Sequence, residues 1–154
     1  MQLTRHTDYA LRLLIHLAHA GEGQRVQVPE VAAAHGISKS HLLKVANHLA
    51  HEGFVDTLRG RGGGLRLARP AAKINLADVI CATEPGTTLV QCGGCGLTIG
   101  GCRLPGIFNR ALDAFLAVLA EHSLADLLAR PDSFFPLPSA SQNQAAQDQA
   151  ATVS

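Results

Sequence analysis

The sequence lacks a hydrophobic run long enough to cross a membrane, and its opening segment lacks the small-residue cleavage site that is typical of a secretion signal. Charged side chains interrupt its opening segment at Arg5, Asp8 and Arg12, and no stretch reaches the roughly 18 uninterrupted apolar residues of a membrane span. We therefore expect a cytoplasmic protein without membrane contact. Charge is also scarce, at 16% of 154 residues, but 47% of the residues are hydrophobic. This composition excludes wholesale disorder.

Cysteines are few as well, with four in a chain long enough to bury a core without disulfides. Three of them form the pattern C-x2-C-x6-C within a glycine-rich loop, at Cys92, Cys95 and Cys102. Such clustering in a reducing compartment predicts a metal centre. Three thiolates do not fill a tetrahedral zinc site or the four outer positions of an iron–sulfur cluster, so a fourth ligand must come from elsewhere. Residues 52–121 contain no histidine, so the loop has no imidazole nearby. Cys81 lies among apolar neighbours on a predicted helix, so we expect a buried structural thiol there rather than that ligand.

Charge is distributed unevenly along the chain. Residues 1–70 carry nine Lys/Arg and five Asp/Glu, a net charge of +4, whereas residues 71–154 carry four and seven, a net charge of −3. This asymmetry suggests an anion-binding face in the N-terminal half, with a chance distribution as the alternative.

Apolar residues at helical spacing predict two short helices within residues 28–52, joined by a turn at Gly36. Pro29 opens the first of these helices and Ser38 caps the second, while Thr7 is expected to cap an earlier helix. The pattern predicts a helix-turn-helix whose second helix enters the major groove of DNA. Its hydrogen-bonding and phosphate-pairing candidates are Ser38, Lys39, Ser40, His41 and Lys44.

A short hairpin of two strands, 54–58 and 65–67, is predicted directly after the helix-turn-helix. Glycines at its tip let the backbone approach a duplex closely, and Arg59 or Arg61 can reach a phosphate or the narrow minor groove. We interpret the hairpin as the wing of a winged helix-turn-helix. The alternative is a winged helix used for protein contacts.

A second long helix is predicted over residues 105–122, and it carries two apolar stripes. The two stripes indicate burial on two sides, which favours a partner subunit over a central helix in a monomer. The stripe with the largest side chains, expected to form the dimer interface, comprises Phe108, Leu112, Phe115 and Leu119. The second stripe comprises Ile107, Ala111, Ala114 and Val118.

These elements predict a mainly α fold with a small β-hairpin wing, in which a winged helix-turn-helix is followed by a long dimerisation helix. We divide the chain into a DNA-binding domain at 1–70 and a region of cluster-binding loop and dimerisation helices at 71–138. The segment 139–154 is rich in Ser, Gln, Ala and Asn and is expected to be a disordered tail.

Four motifs, occurring in order within residues 1–135, carry a resemblance to a known family. They are QLTRHTDYALRLLIHLA, GISKSHLLKVANHLAHEGFV, LRGRGGGLRLARP and CGGCGLTIGGCRL. Together they resemble the Rrf-type winged-helix transcriptional regulators. Within that family, LVQCGGCGLTIGGCRL and HSLADLLA are similar to the NsrR group of nitric-oxide-sensing repressors. Arg103 follows the third cysteine, where the cluster-biogenesis regulators of the family have a histidine nearby.

The resemblance implies a repressor, not an enzyme, that binds double-stranded DNA at a palindromic operator as a homodimer and senses nitric oxide. It implies an iron–sulfur cluster on Cys92, Cys95 and Cys102, with [4Fe–4S] favoured over [2Fe–2S]. It also offers Asp8 of the partner subunit as fourth ligand, although Asp8 could equally be a charge favoured by the helix dipole. A cluster-biogenesis or zinc-bound regulator of the same family, and a redox protein that binds no DNA, are the competing interpretations.

Overall fold

The computed structural model describes residues 2–58, 60, 62–84, 86, 89 and 102–128. Within these residues the chain forms five α-helices and one antiparallel hairpin, which confirms the mainly helical fold with a small wing. The elements are α1 (Arg5–Ala20), α2 (Val28–His35), α3 (Lys39–His51), β1 (Val55–Leu58), β2 (Gly64–Leu67), α4 (Leu76–Thr83) and α5 (Leu104–Ala120). Short 3-10 helices lie at Ala71–Lys73 and Leu124–Leu127.

The hydrophobic core is built mainly from α1, α2, α3 and the hairpin. Leu13, Leu14 and Leu17 recur at helical spacing along α1 and are almost fully buried, as are Leu42 and Leu49 of α3. Burying a leucine side chain contributes about 1.5–3 kcal/mol, so these apolar faces fix which side of each helix remains in solvent. The helix-turn-helix is therefore held by α1 behind it.

The first helix begins earlier than the sequence pattern indicated. Thr4, not Thr7, is the N-cap of α1, and its hydroxyl accepts a hydrogen bond from the Thr7 backbone N–H at 3.3 Å. Thr7 lies inside the helix and is fully buried, so its prediction as a cap is wrong. Both residues are good caps, and the burial of Thr7 decides between them. The predicted cap Ser38 is confirmed, since its hydroxyl accepts from the His41 N–H at 3.4 Å.

The end of α5 is attached to the start of α4 by backbone hydrogen bonds. The Leu76 N–H donates to the His122 carbonyl at 3.0 Å, and the Leu124 N–H donates to the Ile74 carbonyl at 2.8 Å. The Asn75 side chain also donates to the Ala120 carbonyl at 2.7 Å. These bonds fix the direction in which α5 leaves the core.

No helix in the described part of the chain is long and apolar enough to span a membrane. The predicted disordered tail, 139–154, lies outside the described residues.

Candidate DNA-binding surface and sensor residues

The helix α3 presents a mainly polar face to solvent. Its buried residues face the core, so the opposite side of the helix is turned to solvent; they are Leu42, Val45, Ala46 and Leu49. All the residues expected to contact DNA from this helix are exposed: Ser38, Lys39, Ser40, His41 and Lys44. This is the arrangement that a recognition helix requires, with donors and cations concentrated near its N-terminus.

Two further side chains belong to this surface and were missed by the sequence reasoning. Asn47 is exposed one turn after Lys44, and Leu43 keeps 47% of its surface in solvent. An asparagine amide can pair with adenine, and an apolar side chain can contact the methyl group of thymine. The spacing of three residues from Lys44 to Asn47 was the available signal, because residues three apart share a helix face.

The wing is a regular hairpin in which Val55 pairs with Leu67 and Leu58 pairs with Gly64. Across its strands the Arg66 guanidinium contacts the Asp56 carboxylate at 2.8 Å. Gly60 and Gly62 have φ angles of +94° and +75°, which favour glycine at the tip. The two arginines predicted to reach DNA, Arg59 and Arg61, lie outside the described residues.

The wing is attached to the segment that leads into α2. Val26 and Leu65 exchange two backbone hydrogen bonds, each 2.8 Å long. The Gln27 side chain also donates to the carbonyl of Gly63. These contacts fix the hairpin beside the helix-turn-helix rather than leaving it to swing freely.

Two histidine pairs join α1 to its neighbours. The ring nitrogens of His6 and His48 are 2.7 Å apart between α1 and α3, and those of His16 and His35 are 3.1 Å apart between α1 and α2. Burial lowers the pKa of His6, and the nearby His48 lowers it further, whereas Glu84 acts in the opposite direction.

Burial also lowers the pKa of His35. The nearby His16 and Arg12 lower it further, whereas Asp8 acts in the opposite direction. The neutral forms of both His6 and His35 are therefore favoured in the folded chain.

Asp8 lies in the first turn of α1, where the helix dipole favours a negative charge. The Arg12 Nε donates to its Oδ1 at 3.0 Å, and 44% of the Asp8 side chain is exposed. The carboxylate is thus positioned as the dipole interpretation expects. It is also accessible from outside the chain, as a ligand for a partner subunit would need to be.

The cysteines of the described residues are both exposed. Cys102 precedes the N-terminus of α5, a position at which the dipole of that helix favours an anionic ligand. Cys81 is exposed on α4, so the prediction of a buried thiol is wrong. The burial pattern of α4 explains the error, because position 81 falls outside the inner face of that helix. That inner face comprises Leu76, Val79, Ile80 and Thr83.

Within the described residues of a single chain, no group of three His, Cys, Asp or Glu side chains could hold a metal ion. Cys92 and Cys95 lie outside those residues. The chemistry of the remaining candidates nevertheless fits an iron–sulfur cluster, since an accessible thiol at Cys102 and an accessible carboxylate at Asp8 are both donors that iron accepts.

Glu84 connects the end of α4 to the beginning of α1. Its Oε1 accepts hydrogen bonds from the Thr4 backbone N–H at 2.8 Å and from the Thr4 hydroxyl at 3.2 Å. Burial raises the pKa of Glu84, but hydrogen bonds from Thr7 and Thr4, with His6 nearby, outweigh that effect and lower the pKa below its usual value. The ionised carboxylate is therefore favoured at the cap of α1.

The two stripes of α5 differ in burial. The stripe with the large side chains, Phe108, Leu112, Phe115 and Leu119, is half-buried. Phe115 and Leu112 line a pocket with Leu3 and Ile80 of the same chain. In the second stripe Ile107 and Val118 are 60% and 58% exposed. The face of α5 that the described part of the chain leaves uncovered is therefore that of Ile107.

Comparisons with known proteins agree with this geometry. Residues 3–130 match the Rrf2 family, described as iron-dependent transcriptional regulators. The fold resembles CymR (YrzC), the global cysteine regulator of B. subtilis, with a TM-score of 0.69 at 24% identity over 82% of this chain and 95% of that chain. It also resembles IscR of T. potens, with a TM-score of 0.70 at 22% identity over 89% of this chain and 94% of that chain.

Proposed function

The chain belongs to the Rrf2 family of transcriptional regulators, and we propose that it is a homodimeric iron–sulfur repressor that responds to nitric oxide. The observation that carries DNA binding is the exposed polar face of α3 beside an anchored hairpin. Membership of the family agrees with a regulator rather than an enzyme. Such a protein would act in the cytoplasm, as expected from the sequence.

DNA binding would follow the usual division between helix and wing. The side chains of Ser40, His41 and Lys44 would read base edges and phosphates in the major groove. Arg59 and Arg61 would place their charges along the backbone or in the minor groove. The proposed DNA-binding domain is residues 1–70, since the core that positions these groups lies mainly there.

The dimer interface would run along α5. Ile107 and Val118 expose large apolar surfaces that lie on the same helix face as two small residues, Ala111 and Ala114. A second copy of α5 could approach this face closely because the alanines between the larger side chains leave room. The half-buried stripe of Phe108, Leu112, Phe115 and Leu119 would then contribute at the edge of the interface, while it also packs on its own chain.

The proposed sensor ligands are Cys92, Cys95 and Cys102 of one subunit with the Asp8 carboxylate of the other. When bound, an iron–sulfur cluster supplies iron atoms that react with nitric oxide. The thiolates hold the group in the loop, and the carboxylate attaches α1 of one subunit to the loop of the other. Because Asp8 is on the helix that packs behind α3, its release would alter how the two recognition helices are held.

Anaerobic purification followed by an ultraviolet–visible spectrum and iron and sulfide assays tests the cofactor. We expect a brown protein that loses its colour and its operator affinity together on exposure to a nitric-oxide donor. Alanine at position 92, 95 or 102 should abolish the chromophore, and Cys81→Ala is the matched control that keeps it. A colourless protein that contains zinc, or a coloured one that binds no DNA at about 150 mM salt, would refute the proposal.

A further inference from the structure

A cleft of about 260 Å³ lies between the first turns of α1 and the N-terminal half of α3. Its lining residues are Arg5, His6, Tyr9, His41, Lys44 and Val45. Val45 forms a buried floor, and Arg5 and Lys44 are exposed at the rim. None of the residues that line it is acidic, so the cleft concentrates positive charge on the α3 side of the molecule.

Arg5 occupies an electrostatically unfavourable position within its own helix. It is the first residue of α1, at the positive end of the helix dipole, where a cation is destabilising. Arg12 of the same helix, by contrast, pairs with Asp8. Among the described residues, no carboxylate lies within ion-pair distance of Arg5. An external anion in the cleft would relieve the unfavourable charge.

The two helices that form the cleft are joined by a hydrogen bond, and the cleft opens beside the N-terminal half of α3. The hydrogen bond between His6 and His48, 2.7 Å long, joins its two walls. The rings of Tyr9 and His41 are 6.5 Å apart across it. When the N-terminal half of α3 lies in the major groove, the sugar–phosphate backbone at the edge of that groove passes close to such a flanking cleft.

We infer that the cleft binds one backbone phosphate of operator DNA, which makes α1 a third DNA-contacting element beside α3 and the wing. Arg5 and Lys44 pair with the phosphate oxygens, and the Tyr9 hydroxyl donates a hydrogen bond to them. This inference rests on the proposed DNA-binding function. It also means that the helix carrying Asp8 contacts DNA directly, because Asp8 lies between Arg5 and Tyr9 in the first turns of α1.

The test measures dissociation constants of the full chain by fluorescence anisotropy, from about 50 to 300 mM KCl. The duplexes are an operator selected from random sequences and a scrambled duplex. Arg5→Gln should weaken binding to both duplexes alike by about tenfold and reduce the salt slope by about one unit, as loss of one phosphate contact does. Tyr9→Phe should weaken binding by about fivefold without changing the slope. Lys73→Gln removes the same charge from an exposed site in the 3-10 helix and should change neither quantity.

A scan of neutral methylphosphonate linkages then locates the phosphate. One backbone position per half-site should weaken the wild-type protein and have no further effect on Arg5→Gln. The melting temperature of Arg5→Gln should equal or exceed that of the wild type, which separates lost contact from lost folding. Unchanged affinity and slope in Arg5→Gln, with the wild type binding normally, would overturn the inference alone. Failure of the wild type to bind either duplex would overturn the proposed function as well.

Discussion

The exposed face of α5 gives a quantitative prediction for dimer formation. Ile107→Ala removes three carbons, worth about 2.4 kcal/mol when fully buried. Because 60% of Ile107 is exposed in the single chain, about 1.4 kcal/mol of that remains to be gained from a partner. A two-fold interface contains the residue twice, so the variant should weaken the dimer by about 3 kcal/mol, or about 100-fold in dissociation constant.

Sedimentation velocity across a concentration series measures this change directly. Leu58→Ala is the matched control, because Leu58 is 51% exposed but lies on the wing, and its dimer should dissociate as the wild type does. Phe115→Ala is the informative comparison, since Phe115 is half-buried against its own chain and its truncation should lower the melting temperature. If Ile107→Ala dimerises like the wild type while Phe115→Ala is monomeric without loss of stability, the interface lies on the phenylalanine stripe instead.

Three further outcomes are expected. Gly64→Ala should lower the free energy of unfolding by about 2–4 kcal/mol, because an added Cβ would lie 2.8 Å from the Val26 carbonyl oxygen and the backbone has a φ of +139°. Gly62→Ala has open space around it and should lower the free energy of unfolding by only about 1–2 kcal/mol. Urea denaturation measures both variants, and equal losses of stability would contradict the packing argument. The lowered pKa of His35 means that the unfolded chain takes up a proton at a higher pH than the folded chain does, so stability should fall as the pH drops through the ordinary histidine pKa of 6.5. His35→Gln should make the free energy of unfolding less dependent on pH in this range. An unchanged dependence would contradict the assignment to His35. Asp8→Ala should keep a cluster with a shifted spectrum and Asp8→Cys should slow its reaction with nitric oxide, whereas two unchanged anaerobic spectra would remove Asp8 from the site.

Local signals in the sequence were sufficient to place the wing. The strands of the wing were expected over residues 54–58 and 65–67 and form at Val55–Leu58 and Gly64–Leu67, because the alternation of apolar residues and the turn glycines act within a few positions of each other. The cap of α1 was placed wrongly because Thr4 and Thr7 are equally good caps in isolation. The choice between them depends on burial of Thr7 and on Glu84, which is 80 residues away from Thr4.

The candidate site was less accessible from sequence, because it depends on which faces meet. The spacing of apolar residues identifies two stripes on α5, but it does not show which stripe packs against the rest of the same chain. The error over Cys81 has the same cause. Its neighbours Val79 and Ile80 lie on the buried face of α4, whereas Cys81 lies on the exposed face. The cleft containing Arg5 and Lys44 joins residues 39 positions apart, and neither local pattern indicates the other.

The described contacts also form a path from the end of α4 to α3, the helix proposed to recognise DNA. Glu84 follows α4 directly and precedes the cysteine loop, and its carboxylate binds Thr4 at the cap of α1. Within the next turn His6 contacts His48 on α3. A helix cap is worth about 1 kcal/mol, and allosteric coupling is typically about 1–3 kcal/mol. Losing the contact between Glu84 and Thr4 would therefore weaken the start of α1 by an amount comparable to an allosteric coupling, and α1 is the helix that packs against α3.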